Sequence, residues 1–228
     1  MNTTKRNLQI GIFSALITFS ACSGSSRQQN EKKDPMTTTH EQMTEQNRNE
    51  GSATNMHEQH QSLSDNFTHT NAVLLDQVYQ LDETTEKEME HTMDAYLQIK
   101  EALSEEDLNE VDDAIDLMNR RIQKIQLLRL EGEGLRAWKS HRELYLDKLE
   151  EMRHIEGLEN KRSYFGHLSE IVYCTLKSFG LQEGNLYAVY CPMAFNNKGA
   201  YWITDSKEIN NPYMGSKMPE CGEIKEVL

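Results

Sequence analysis

The sequence predicts a mainly α protein, an up-down four-helix bundle with a small β-rich appendage at its C-terminal end. Three observations predict it. Apolar residues recur at alternating spacings of three and four from about residue 72 to 180. Glycines at Gly132–Gly134 and Gly180 interrupt that pattern where helices should break or stop. Beyond Gly180 the texture changes, because three of the four prolines and one of the two tryptophans fall in residues 181–228. Short β-like runs there alternate with turn formers.

The first segment is a leader. Lys5 and Arg6 form a basic start, and Leu8 to Phe19 is an apolar run too short to anchor a stable spanning helix. Phe19-Ser20-Ala21-Cys22 then places small residues before a cysteine. This stretch resembles a lipobox, with Phe19 where that family usually has Leu. The resemblance implies cleavage after residue 21, a lipid on Cys22 and a membrane-anchored protein of the bacterial cell envelope. Residues 1–21 are read as signal peptide, and the expected location is the outer membrane, facing the periplasm. Ser-Gly-Ser-Ser follows Cys22 in place of an acidic cluster.

Residues 22–71 read as a tether carrying the lipidated cysteine. Rich in Gln, Asn, Ser, Thr, Glu and His, they cannot bury enough apolar surface to offset ordering entropy. Within them His40 and Met43, then Met56, His57 and His60, set thioethers and imidazoles a few residues apart. Such tracts can gather copper weakly. The plainer reading is a polar linker with chance Met and His.

Residues 72–180 should form the bundle. An early helix carries Met89, Met93, Tyr96, Leu97 and Leu103, starting near Asn71 or only near Thr84. The clearest stripe is Leu108, Val111, Ile115, Met118, Ile122 and Ile125, with Ser104 as the expected N-cap and Glu106 and Asp107 as first-turn acids. A third helix carries Leu135, Trp138, Tyr145, Leu149 and Met152. A fourth carries Phe165, Leu168, Val172, Leu176 and Phe179 and stops at Gly180. Met89, Met93 and Met118 are expected in the core, and Cys174 as a buried inert thiol. His141, His154 and His167 are expected to be surface or satisfied polar residues. The acidic runs at 86–90 and 105–113 are expected to be solvated helix faces. In residues 181–228, Leu186–Tyr190, Ala200–Thr204 and Glu223–Leu228 are the strand candidates, separated by turns at Asn196–Gly199 and Asn210–Pro212.

Charge limits the partners. The net charge of −13 becomes −15 once Lys5 and Arg6 leave with the leader. That argues against nucleic acid, whose phosphates need a basic patch. No G-x-S-x-G, H-E-x-x-H or P-loop pattern is present, and the chain is read as a non-enzyme.

The tail holds the remaining chemistry. Cys191-Pro192-Met193 and Met218-Pro219-Glu220-Cys221 each pair a thiol with a thioether at short spacing. Cys191, Met193, Met218 and Cys221 form a soft ligand set, suited to Cu(I) or Ag(I) over Zn(II). Met214, Trp202 and Tyr213 are candidates to surround such a site. The competing reading is a Cys191–Cys221 disulfide pinning the tail of an interaction module, since the envelope is oxidising. Under that reading Trp202 belongs to the core of the small β unit.

The tail as written, Tyr190-Cys-Pro-Met-Ala-Phe-Asn-Asn-Lys-Gly-Ala-Tyr-Trp202, then Ile209-Asn-Asn-Pro-Tyr213, Gly215, Lys217-Met218 and Cys221-Gly222, resembles a domain family of formerly unknown function. That family occurs in periplasmic proteins and lipoproteins, and at the C-terminus of some copper/silver efflux adaptor proteins. The resemblance spans roughly residues 90–228 and is strongest in the last forty. It implies a copper- or silver-related role, in buffering or in hand-over to an efflux adaptor. The tail is also similar to the CPMHP…CPxCGM heavy-metal motif of such adaptors. It departs from that motif at Ala194, which replaces His, and at Met218, which replaces Cys; the final Met is absent.

Overall fold

The computed structural model describes Leu63, Phe67 and residues 72–182 and 186–228. The leader, Cys22, His40, Met43, Met56, His57 and His60 lie outside the described residues. Four long helices follow one another: α1 (Glu83–Glu105), α2 (Leu108–Lys124), α3 (Gly132–His154) and α4 (Leu158–Phe179). A three-stranded antiparallel sheet follows, with β1 (Tyr187–Cys191) between β2 (Ala200–Thr204) and β3 (Glu223–Val227). The fold class expected from the sequence is the one observed. Among the described residues no helix is long and apolar enough to cross a membrane.

Helix boundaries follow from local chemistry. Asp82 caps α1 by accepting from the backbone N–H groups of Thr84 at 3.1 Å and Thr85 at 3.2 Å. That places the start near Thr84 rather than near Asn71. Asp107, not Ser104, caps α2, accepting from Asn109 at 2.9 Å and Glu110 at 3.1 Å. Ser104 sits one turn earlier, inside α1, where its hydroxyl bonds back to the Lys100 carbonyl. Leu108 is exposed instead of joining the α2 stripe, because it occupies the first turn beside that cap. Gly134 serves close approach: a Cβ there would meet the Tyr79 ring at 2.5 Å. Gly180 ends α4 in the left-handed region at φ 62°.

Consecutive helices pack on one another, as short connections require. Met89, Met93, Met118, Trp138, Tyr145 and Phe165 fill the interior. Several of its buried polar groups are paired, although Nε1 of Trp138 has no hydrogen-bond partner among the described residues. The Tyr96 hydroxyl bonds Ser169 Oγ at 2.7 Å and accepts from the Ile203 N–H at 3.0 Å, tying α1, α4 and β2 together. His141 is fully buried and satisfied rather than at the surface. Its Nε2 donates to the Val73 carbonyl at 2.6 Å, so its Nδ1 accepts from Thr175 at 3.1 Å. Burial drives its pKa down to about 4, partly opposed by the Val73 bond. Cys174 is buried in the core as expected, its thiol pushed up to about 12 by burial.

Candidate functional site

Strand register brings the two tail cysteines together. Cys191 ends β1, and Tyr190 pairs with Glu223 across the antiparallel β1–β3 ladder. The next pair along would set residue 222 opposite Cys191, so Cys221 arrives diagonally beside it. The sulfurs lie 2.7 Å apart, although thirty positions separate the residues in sequence. Cys191 is completely buried, whereas Cys221 is half-exposed. Both are free cysteines.

The loop from Ser206 to Gly222 is held by two residues. Asn211 is fully buried and organises the turn. Its Oδ1 accepts from the N–H groups of Tyr213 at 2.8 Å and Met214 at 3.0 Å. Its Nδ2 donates to the Cys221 carbonyl, and its own N–H donates to the Pro219 carbonyl at 2.9 Å. Arg162 on α4 anchors this turn to the bundle from a 1 % exposed position. Its guanidinium donates to the carbonyls of Pro212 at 2.8 Å and Leu103 at 3.3 Å, and to Glu106 and Glu159 at 3.0 Å each. Glu106, which ends α1 at φ 63°, is therefore not a merely solvated acid. Hydrogen bonds from Ser216 and Arg162 hold its carboxyl below the usual range.

Burial raises the pKa of the Cys221 thiol, and the Cys191 sulfur beside it raises it further; the Met193 N–H opposes both. Cys221 is thus set to be protonated at neutral pH, and a metal must displace its proton to bind. With metal–sulfur bonds near 2.3 Å, two thiolates of a tetrahedral site lie about 3.8 Å apart, whereas a disulfide needs about 2.05 Å. The observed 2.7 Å is closer to the disulfide. Holding an ion requires the sulfurs to part by about an ångström, within reach of one χ1 adjustment at the half-exposed Cys221. Among the described residues no three His, Cys, Asp or Glu side chains gather as a metal cluster.

The other predicted residues differ in burial. Met193 is 44 % exposed, on the loop that leaves Cys191, and Met218 is half-buried at the turn before Cys221. Met214 packs against the core. Trp202 is buried in the β unit, with its ring against Gly222, where a Cβ would meet it at 2.6 Å. Tyr213 is buried, its ring 5.9 Å from that of Trp202, and its hydroxyl donates to the Tyr201 carbonyl.

Two features escape a reading of spacing. The β1–β2 connection contains a left-handed turn in Ala194–Asn197, with Phe195, Asn196 and Asn197 at φ 51°, 59° and 67°. Left-handed backbone costs about 1–2 kcal/mol per non-glycine residue and is least costly for Asn; the Asn-Asn pair was the visible signal. Gly199 closes the connection at φ 79°, where a Cβ would fall 1.9 Å from the Tyr190 hydroxyl. The second feature is a bulge: β1 pairs Ala188 with Glu226 and Val189 with Ile224, leaving Lys225 as the extra residue.

No curated protein and no solved structure matches the chain. The stretch that is matched lies in the helices, whereas the resemblance read from the residues is strongest in the last forty. From the middle of α1 to the end of α4 and just beyond, residues 92–184 match the model of a family described as a protein of unknown function, DUF3347.

Proposed function

We propose that the protein is a lipid-anchored envelope protein whose C-terminal module works through the Cys191–Cys221 thiol pair. Reduced, the pair takes one soft cation, Cu(I) or Ag(I), for buffering or for hand-over to an efflux adaptor. The observation that carries this reading is the apposition of two thiols from separate segments, one fixed in the core and one reaching solvent. Met193, exposed on the adjoining loop, and Met218 supply thioethers of matching softness. Cys22 and the tract of His40, Met43, Met56, His57 and His60 supply the anchor and an auxiliary collector.

A second reading rests on the 2.7 Å spacing, which lies nearer to a disulfide than to a metal-bridged pair. In an oxidising envelope the pair then closes, pins the tail, and leaves a non-enzymatic module that docks on another envelope protein. Counting thiols on the full-length lipoprotein without reductant separates the two. Three free thiols support the metal site, and one supports the pinned module. Anaerobic Cu(I) titration of the reduced protein against a competing chelator should give one-to-one binding. A C191S/C221S variant should lose it while keeping its helicity. Stoichiometric binding that survives this change removes the proposed ligand set.

A further inference from the structure

A cleft of about 660 Å³ opens between α4 and the β1–β2 hairpin. It is separate from the thiol pair, because Tyr190 and Cys191 are consecutive strand residues and direct their side chains to opposite faces. We propose that this cleft binds a small aromatic carboxylate. Its volume falls within the range of small-molecule sites, roughly 300–1,000 Å³.

The walls favour a flat ring. Tyr190 and Tyr201, paired across β1 and β2, form one wall with ring centroids 4.6 Å apart. Phe195 forms another, near α4, where Gly166 offers no side chain; a Cβ there would meet the Phe195 ring at 3.6 Å. A planar ring fits beside such surfaces by stacking or edge contact.

The polar groups favour an anion. Lys198 lines the cleft and makes no ion pair among the described residues. Ser163 lines it too, and neither its hydroxyl nor that of Tyr190 makes a hydrogen bond among the described residues. Lys225, the bulge residue, adds a second ammonium, paired with Glu223 at 2.5 Å. Among the described residues Glu170 is the one carboxylate in the lining, and His167 is its imidazole. With Lys225 held by Glu223, Lys198 is the unpaired ammonium that meets an incoming anion, on a chain of net charge −13. Among the described residues no guanidinium lines the cleft. A single unpaired ammonium with two hydroxyls suits a monoanionic carboxylate better than a phosphate.

Independent evidence comes from the backbone. The left-handed run at Phe195, Asn196 and Asn197 is costly, and it contributes the Phe195 ring and the adjoining Lys198 to the lining of the cleft. The bulge does the same for Lys225. Two separate departures from regular structure converge on one cavity.

The test is a titration of the full-length protein with benzoate and with indole-3-carboxylate, following the Phe195 and Gly199 amides by NMR. Acetate tests the ring and benzylamine tests the charge. Saturable shifts with the two aromatic acids, and none with acetate or benzylamine, are expected. K198Q, a change at an exposed residue, should weaken binding about tenfold, and Y190F should weaken it by a smaller factor. C191S/C221S should leave it unchanged, which separates this site from the thiol pair. Absence of saturation with either acid, an equal response to benzylamine, or unchanged affinity in K198Q overturns the proposal.

Discussion

Replacing Asn211 with alanine should loosen the turn that presents Cys221, and the structure sets the size of the effect. The side chain holds the Tyr213 and Met214 N–H groups and the Cys221 carbonyl, all from a fully buried position. Each lost bond costs about 1 kcal/mol net, and more where the stranded partner stays dry. Three such losses give about 3–5 kcal/mol, a large share of the roughly 5–15 kcal/mol that holds a domain folded. For a domain of this size that lowers the melting temperature by about 10 °C. Thermal unfolding followed by circular dichroism, under reductant, reads that loss. Alkylation of Cys221 reads the local effect, and its rate should rise because the residue's carbonyl is no longer held. N211D sharpens the test: its carboxylate still accepts from Tyr213 and Met214 but cannot donate to Cys221. It should release Cys221 while largely keeping the turn. An N211A protein that melts within a degree or two of the parent, with Cys221 no more reactive, would refute the reasoning.

Three further outcomes are expected. His141 has a folded pKa of about 4 against about 6.5 unfolded, so the unfolded chain binds the extra proton between those values. Stability should therefore fall as pH drops from 6.5 to 4, by up to roughly 3 kcal/mol. H141Q should flatten that slope in denaturant titrations across the same window. R162M should cost about 3–5 kcal/mol, since it strands the Pro212 and Leu103 carbonyls and leaves Glu106 without its buried partner; urea unfolding measures it. Cys174, whose thiol burial pushes up to about 12, should resist maleimide at pH 7.5 until the bundle unfolds; mass spectrometry with and without denaturant checks it.

The bundle was legible because burial imposes a period. Val111, Ile115, Met118 and Ile122 recur at three and four, and all four are buried. The α1–α2 boundary was misplaced by three residues because Ser104 and Asp107 are both capable caps. Tertiary contacts chose between them: Glu106 turns left-handed, where Arg162 and Ser216 bind its carboxylate. For His141 both a surface place and a satisfied one were open, because one imidazole on a helix carries no sign of what it faces; the satisfied one holds, and its partners, Val73 and Thr175, are distant in sequence. The Cys191–Cys221 contact was legible as a pair, yet no spacing rule could set its distance, which follows from the β1–β3 register. The cleft was not legible, since its walls come from α4, the left-handed turn and a bulge.

The asymmetry of the thiol pair decides how its two fates compete. Cys191 is enclosed on all sides, so its sulfur is a fixed point. Cys221 is half-exposed and follows the turn that Asn211 organises. Closing to a disulfide shortens the separation by roughly 0.7 Å, and opening for an ion lengthens it by about 1 Å. Both movements belong to Cys221. Anything that fixes its backbone favours whichever state lies nearer, and at 2.7 Å that is the disulfide. Anything that frees it makes room for the larger metal-bridged arrangement. Loosening the Asn211 turn should therefore raise Cu(I) uptake by the reduced protein relative to its rate of air oxidation. A ratio that moved the other way would place the controlling motion at Cys191.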